Sequence, residues 1–297
     1  MLRNYLKIAF RALRKQPTTT AIHLLGLTLG LTTCLLIGLF LRNEWLFDRY
    51  HRHADRVYRI NQVETTGPDV ETSGVTPYPL APALRAELGS GSNTVVARIH
   101  AEENTFAVLS PDKILSEDRV LFAEPELLDV FDFEIVSGNA RAALAQPGQV
   151  ILSESAARRY FGSANPVGKT FKLGSKTLVR VAGIMRDMPH QTHLNAPLLV
   201  SYQTLKTFFE WPLDQWGLSA SGSAYVRLPA GQTPTQFQPL LNRIARKYFK
   251  REGQTVKSHV LQPLTAIHTQ PGINGGLIGP VSPAYLWVFG AVGLFVL

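Results

Sequence analysis

AIHLLGLTLGLTTCLLIGLFL, residues Ala21 to Leu41, contains no Lys, Arg, Asp or Glu. At a rise of ~1.5 Å per residue, a helix of this length crosses the ~30 Å hydrocarbon core of a bilayer. A core helix of a soluble domain seldom runs so far without a polar face, and the flanks, Lys15-Gln16-Pro17 and Arg42-Asn43-Glu44, change composition at once. The stretch therefore reads as a transmembrane helix over 21–41. Within it Gly26, Gly30, Cys34 and Gly38 recur every fourth residue and share one face, which lets a second helix approach closely, so these four are the helix-packing candidates.

Outward from this span, the net charge of +8 acquires a location. Arg3, Lys7, Arg11, Arg14 and Lys15 account for five of these charges, and the first twenty residues hold no acid. A basic excess beside an apolar span points to topology and lipid headgroups rather than to nucleic acid. Leu2, Tyr5, Leu6, Ala9, Phe10 and Leu13 fall at i, i+3, i+4 spacing among those cations, so residues 1–20 read as a cytoplasmic basic amphipathic helix lying in the interface. The apolar run exceeds the ~7–15 residues of a signal peptide and no A-x-A-like cleavage site follows, which makes it an uncleaved anchor. Arg42, Arg49, Arg52, Arg56 and Arg59 make the basic tally across the span nearly even. A long following domain translocates regardless of its charge whereas a short basic tail stays inside, so the N-terminus is expected in the cytoplasm and the main domain outside it. The one cysteine, Cys34, lies in the span and forms no intrachain disulfide.

Residues 43–282 follow as a domain with no further stretch long and apolar enough to span. Strand-like runs fall at Val57 to Glu64, Thr94 to His100, Lys169 to Leu173, Thr177 to Ile184, Ala224 to Leu228 and Val256 to Leu261. Between them, Thr233, Pro234 and Gln236 form a capping box ahead of the face Phe237, Leu240, Leu241, Ile244, Ala245, Tyr248, and Ser153 caps a helix that ends at Gly162. Long strand-helix-strand alternation is missing, which favours α+β over a doubly wound sheet. Turn-rich stretches at Thr65 to Pro82 and Pro212 to Ser223 suggest a second lobe inserted into the first. Residues 283–297, PAYLWVFGAVGLFVL, carry no charge but reach only ~22 Å, so a second span is expected to begin here and the chain to be the N-terminal part of a longer protein.

Catalytic signals are few. Gly162 to Thr170 imitates a P-loop, but five residues separate its glycines where four are needed, and a helix precedes it where a strand should. His51-x-His53 and His190-x-x-His193 have metal-like spacing without an evident third ligand, and the arginines around the first pair make a solvated loop the expectation there. Glu102-Glu103 reads as a solvated face. The exposed cations of the later helix, Arg243, Arg246, Lys247, Lys250 and Arg251, read as a solvated surface too. No G-x-S-x-G, H-E-x-x-H or C-x-x-C occurs, and no catalytic, cofactor-binding or metal residue is assigned.

Several stretches, taken in order, resemble the FtsX/MacB-type permeases of bacterial ABC transporters. They are Tyr5-Leu-Lys-Ile-Ala to Lys15, Gly26-Leu-Thr-Leu-Gly30, Asn43-Glu-Trp-Leu-Phe-Asp48-Arg-Tyr-His51, and Asp55-Arg56-Val-Tyr58-Arg59. Phe131-Asp-Phe-Glu-Ile-Val-Ser-Gly138, Val150-Ile-Leu-Ser-Glu-Ser-Ala156, Tyr160-Phe-Gly162 and Asn165-Pro-Val-Gly-Lys169 continue the series. Val181-Ala-Gly-Ile-Met-Arg-Asp-Met-Pro189 and Leu261-Gln-Pro-Leu-Thr-Ala-Ile-His268 complete it. The resemblance implies an α+β extracytoplasmic core domain, a porter-like lobe carrying an inserted lobe at roughly 104–217, anchored by transmembrane helices in the bacterial inner membrane. It further implies a multi-pass, non-enzymatic permease. ATP would be bound and hydrolysed by a separate cytoplasmic ATPase partner, with a second permease copy, membrane lipids and extracytoplasmic proteins as further partners and no nucleic acid. Efflux and mechanotransmission are the implied activities. An outer domain between two spans is also the plan of a membrane receptor with an extracytoplasmic sensor, and a third reading, a membrane-anchored hydrolase, requires a clustered nucleophile and base.

Overall fold

A computed structural model of the chain describes residues 4–5, 11, 13–209, 213–216, 222–249 and 255–296. Most of the amphipathic segment at 2–13 lies outside these residues, as do Lys250 and Arg251. The chain forms two compact units, Met1–Leu46 with Val281–Leu297, and Phe47–Pro280.

In the first unit, helix α1 (Pro17–Trp45) is long and apolar enough to cross a membrane. Pro17 sits in its first turn, where the missing N–H costs no hydrogen bond. The second unit is α+β. Its elements in order are β1 (Val57–Thr66), β2 (Asp69–Ser73), α2 (Leu80–Leu88), β3 (Val95–Ser110), β4 (Lys113–Ala123), α3 (Leu127–Val130), β5 (Ile135–Gly138) and α4 (Ala140–Leu144). Then come β6 (Gln149–Ser153), α5 (Glu154–Phe161), β7 (Thr170–Leu173), β8 (Thr177–Met185), β9 (Leu198–Ser201), α6 (Leu205–Phe209), β10 (Ser223–Arg227), α7 (Pro234–Tyr248), β11 (Thr255–Pro263) and β12 (Ile273–Asn274). Helix α8 (Pro283–Val296) belongs to the first unit.

Two arrangements of strands organise this unit. In the first, β11, β1, β10 and the start of β3 lie side by side, all antiparallel, with α2 and α7 closing β1-α2-β3 and β10-α7-β11 into a β-α-β-β-α-β fold. Ile60, Val96, Ala224 and Val226 meet Leu80, Leu84, Phe237, Leu241 and Ile244 of the two helices in one buried cluster. The capping box expected at α7 is formed: Thr233 accepts from the Gln236 amide while Gln236 reaches back to the Thr233 N–H. In the second arrangement, pairing runs β3 to β4, β9, β6, β8, β7 and back to β3, a closed circuit of six strands. Its interior is filled by Ala107, Val120, Phe122, Val150, Leu152, Phe171, Leu173, Val179, Leu198 and Val200. Strand β3 serves both: Val95 to Ile99 pair with β10, and Ala107 and Val108 pair with β7.

Candidate functional site

The residues that follow α1 are held in the second unit by an unusual density of polar contacts. Asp48 adopts a left-handed backbone (φ 57), a conformation that Asp tolerates better than most residues. Its N–H donates to the Gln191 carbonyl at 2.9 Å. Its carboxylate accepts from the Thr192 hydroxyl (2.8 Å), the His193 N–H (3.2 Å) and His193 Nδ1 (2.8 Å). A carboxylate only accepts, so Nδ1 carries a proton and donates it to Asp48, and Nε2 shares a hydrogen bond with the Tyr225 hydroxyl at 2.9 Å. Burial pushes the Asp48 carboxyl up, but His193 and the Thr192 hydroxyl outweigh it and hold the group below the usual carboxylate range.

The flanking residues add contacts of other kinds. Phe47 stacks on His268 with ring centroids 3.8 Å apart. His51 is buried, in contrast to the solvated loop expected for His51 and His53: its ring packs on Tyr50 and Phe131, and Nδ1 accepts the Asp132 N–H at 3.0 Å. Arginines nearby do not repel this arrangement, because burial lowers the His51 pKa to about 4 and keeps the ring neutral. One of them, Arg52, turns outward to Asp132, 2.7 Å from its carboxylate.

The residues preceding α8 are held by the same core. β12 pairs in parallel with β2, and the Asn274 carbonyl accepts the Gly74 N–H at 2.8 Å. Arg119, on β4, donates to the Leu277 carbonyl through Nη2 and lies 3.5 Å from the His193 carbonyl through Nη1. His193 thus binds Asp48 by its ring while its main chain meets the arginine that holds Leu277. Arg59, buried on β1, bonds Asn61 and Gln262 and is flanked by Gly74 and Gly276. A Cβ on Gly74 would fall 2.6 Å from its Cζ, so glycine is what leaves the guanidinium room.

A cavity of ≈ 1010 Å³ opens elsewhere in this unit, with Arg98, Glu124 and Tyr202 in its wall. Glu124 accepts from Arg85 at 2.8 and 3.0 Å and from Arg98 at 2.8 Å, and the Arg98 guanidinium lies 4.2 Å from the Tyr202 ring centroid. Glu124, Arg85 and Arg98 satisfy one another, while the buried Tyr202 hydroxyl has no hydrogen-bond partner among the described residues. The wall has no serine, cysteine or histidine among its described residues, and among the described residues no three His, Cys, Asp or Glu side chains are placed to hold a metal.

The four helix-packing candidates divide. Cys34 Sγ lies 3.2 Å from the Gly293 carbonyl of α8, and Gly30 faces Val296, whose carbonyl would stand 3.6 Å from an added Cβ. Gly26 and Gly38 have nothing within 4 Å among the described residues. Sequence reasoning did not find the Asp48 cluster: its partners are 144 and 145 residues away and carry no local pattern.

The sequence model of the MacB-like periplasmic core domain matches residues 20–244. No curated protein matches the chain. Among solved structures, the chain is similar to a domain of a protein described as a permease from Porphyromonas gingivalis, at 24% identity and TM-score 0.61, over 72% of this chain and 91% of that one. It is also similar to the periplasmic region of MacB from Actinobacillus actinomycetemcomitans, at 17% identity and TM-score 0.47, over 69% and 88%. A third is the extracellular domain of the noncanonic ABC-type transporter YknZ from Gram-positive bacteria, at 14% identity and TM-score 0.49, over 68% and 98%.

Proposed function

This chain belongs to the MacB-like periplasmic core domain family of ABC-type transporter permeases, and from that premise we propose that it couples ATP hydrolysis by a separate cytoplasmic ATPase to movement of an extracytoplasmic domain. The parent protein is a multi-pass permease of the bacterial inner membrane, working beside a second copy, and the outer movement serves efflux or mechanotransmission to extracytoplasmic proteins. Residues 43–282 are the moving domain, a β-α-β-β-α-β lobe into which residues roughly 104–217 are inserted.

The observation that carries this reading is the junction at His193. Residues next in sequence to α1 and residues just before α8 are fixed to adjoining groups of one core, Asp48 on the His193 ring and Leu277 on Arg119. In this reading a displacement at Asp48 or Leu277 passes through those hydrogen bonds to the strands that bear Tyr225 and Arg119. Strand β3 runs from the sheet containing β10 into the six-stranded circuit, so the same displacement passes to the inserted lobe. Packed side chains and hydrogen-bond networks are what carry such coupling, and the buried residues of this junction support the reading.

The test uses the full-length permease reconstituted with its ATPase in nanodiscs, with spin labels at Ser73 and Ser175. ATP is expected to change the label distance in the wild type, and Asp48→Asn combined with His193→Gln to abolish the change while far-UV circular dichroism stays native. A distance change that persists in the double variant overturns the coupling role.

A further inference from the structure

We propose that the outer face of the strand circuit, centred on Ile114, Val108, Lys172 and Leu178, is a docking surface for an acidic face of another extracytoplasmic protein. This goes beyond the coupling role and rests only on the extracytoplasmic placement of the domain.

The row follows from register. Val108 pairs with Ile114 on one side and Lys172 on the other, and Lys172 pairs with Leu178, so four consecutive strands present these side chains side by side. At ~4.8 Å between strands the row is roughly 14 Å wide. Ala107, Leu173 and Val179 point into the filled interior, and the alternation of strands turns Val108, Lys172 and Leu178 the opposite way. Leu178 is 60% exposed, Ile114 59%, and Phe106, two residues from Val108 on the same face, 40%. Single exposed aliphatics are ordinary, but Ile114, Val108 and Phe106 clustered on one sheet face, with Leu178 across Lys172, mark an interaction surface.

Charge selects the partner. Residues 167 to 181 contain Lys169, Lys172, Lys176 and Arg180 and no acid. The neighbouring β3–β4 hairpin contributes Asp112 at its turn, Asp118 further along β4, Glu102 and Glu103 opposite Val120 and Arg119 away from the row, and Glu117, which is buried against Arg159 and Tyr160. A sheet face that mixes cations with exposed apolar residues fits an acidic, apolar-studded protein face and steers its approach. A second copy of this chain fits poorly, since two such faces would oppose their cations. A bilayer fits poorly as well, because the turn at the hairpin tip, Gly174-Ser175-Lys176, is polar and the apolar residues lie back on the flat of the sheet.

The experiment places a photo-cross-linking amino acid at position 178 of the full-length protein in its native cells and identifies adducts by mass spectrometry. The expected product joins position 178 to a segment of another protein containing Asp or Glu, and Lys172→Glu with Arg180→Glu lowers its yield by about tenfold or more, the factor that ~1.4 kcal/mol produces. An adduct with lipid or glycolipid, an adduct with a second copy, no adduct, or a yield indifferent to charge reversal each overturns the proposal. Labelling of Ser175→Cys, in a Cys34→Ala background, by a membrane-impermeant maleimide tests the extracytoplasmic placement separately. Labelling without a protein adduct sinks the docking surface alone, and protection sinks the placement.

Discussion

The carboxylate of Asp48 accepts the Nδ1 proton of His193 across 2.8 Å, with both side chains essentially without solvent contact and the two residues 145 positions apart in sequence. Removing one member of such a pair leaves the other buried with its hydrogen bonds unmade. Losses of this kind cost about 3–5 kcal/mol. Asp48→Ala is therefore expected to destabilise the domain by about 3 kcal/mol or more, and Asp48→Asn by less, because an amide oxygen still accepts from Thr192 and the His193 N–H. Hydrogen exchange at the His193 amide reads this directly. About 3 kcal/mol corresponds to roughly a hundredfold faster exchange, and unchanged protection in Asp48→Ala would remove the junction from the account.

His259 gives the domain an acid limit. It is fully buried on β11 beside Phe249, neither ring nitrogen has a hydrogen-bond partner among the described residues, and burial lowers its pKa to about 4. The unfolded ring titrates near its ordinary value of ~6.5. As pH falls below that value the unfolded chain binds a proton that the folded chain refuses, so stability declines until the folded pKa is reached. The decline over pH 6.5 to 4 amounts to about 3 kcal/mol for this residue. In His259→Phe the slope of melting temperature against pH over that window should flatten. A wild-type slope would show that other groups, His51 among them, account for all of it.

What the sequence revealed and what it hid separate along physical lines. The six strand-like runs are all strands, and the caps at Ser153 and Thr233 are formed, because alternation and capping are local signals. β4, β6, β9 and α2 were not anticipated. β6 and β9 are short and buried on both faces, with no polar alternation to mark them. The end of β3 extends ten residues past the expected His100, through Glu102 and Glu103, because its partner β4 and not its own composition keeps it extended. That α1 is long and apolar enough to cross a membrane follows from length and composition alone. The junction was illegible for the opposite reason: Asp48, His193, Arg119 and Leu277 meet only once the chain has folded, and nothing within a few residues of any of them announces the others.

Three glycines distinguish steric demand from backbone demand. A Cβ at Gly222 would fall 1.9 Å from the Ile99 carbonyl oxygen, a backbone atom in the β10–β3 region that cannot step aside. Gly138 combines φ +85 with a Cβ 2.2 Å from the Ala182 carbonyl oxygen. Gly89, at φ +71, has open space around it. Gly222→Ala and Gly138→Ala should each cost above about 3 kcal/mol, and Gly89→Ala only the ~1 kcal/mol of a strained backbone. Thermal unfolding of the three variants orders them, and a Gly89→Ala loss equal to the other two would contradict the steric assignment.

Cys34 reports on the packing of α1 against α8. Its thiol lies 3.2 Å from the Gly293 carbonyl, and Gly293 is closed in by Ile37, which an added Cβ would approach to 3.3 Å. Phe40 and Phe289 meet edge to face one turn away, at 5.5 Å. A leucine at position 293, or at Gly30 opposite Val296, must push the helices apart, since small residues are what permits close approach in a membrane. A Cβ added at Gly26 or Gly38 has nothing within 4 Å among the described residues. The chain has one cysteine, so alkylation by N-ethylmaleimide in reconstituted protein reads one site. Gly293→Leu and Gly30→Leu should raise the rate at Cys34, while Gly26→Leu and Gly38→Leu leave it near wild type. Equal rates in all four would make the stripe ordinary membrane glycine, and the face that α1 offers to α8 would then rest on larger side chains such as Ile37, Phe40 and Leu41.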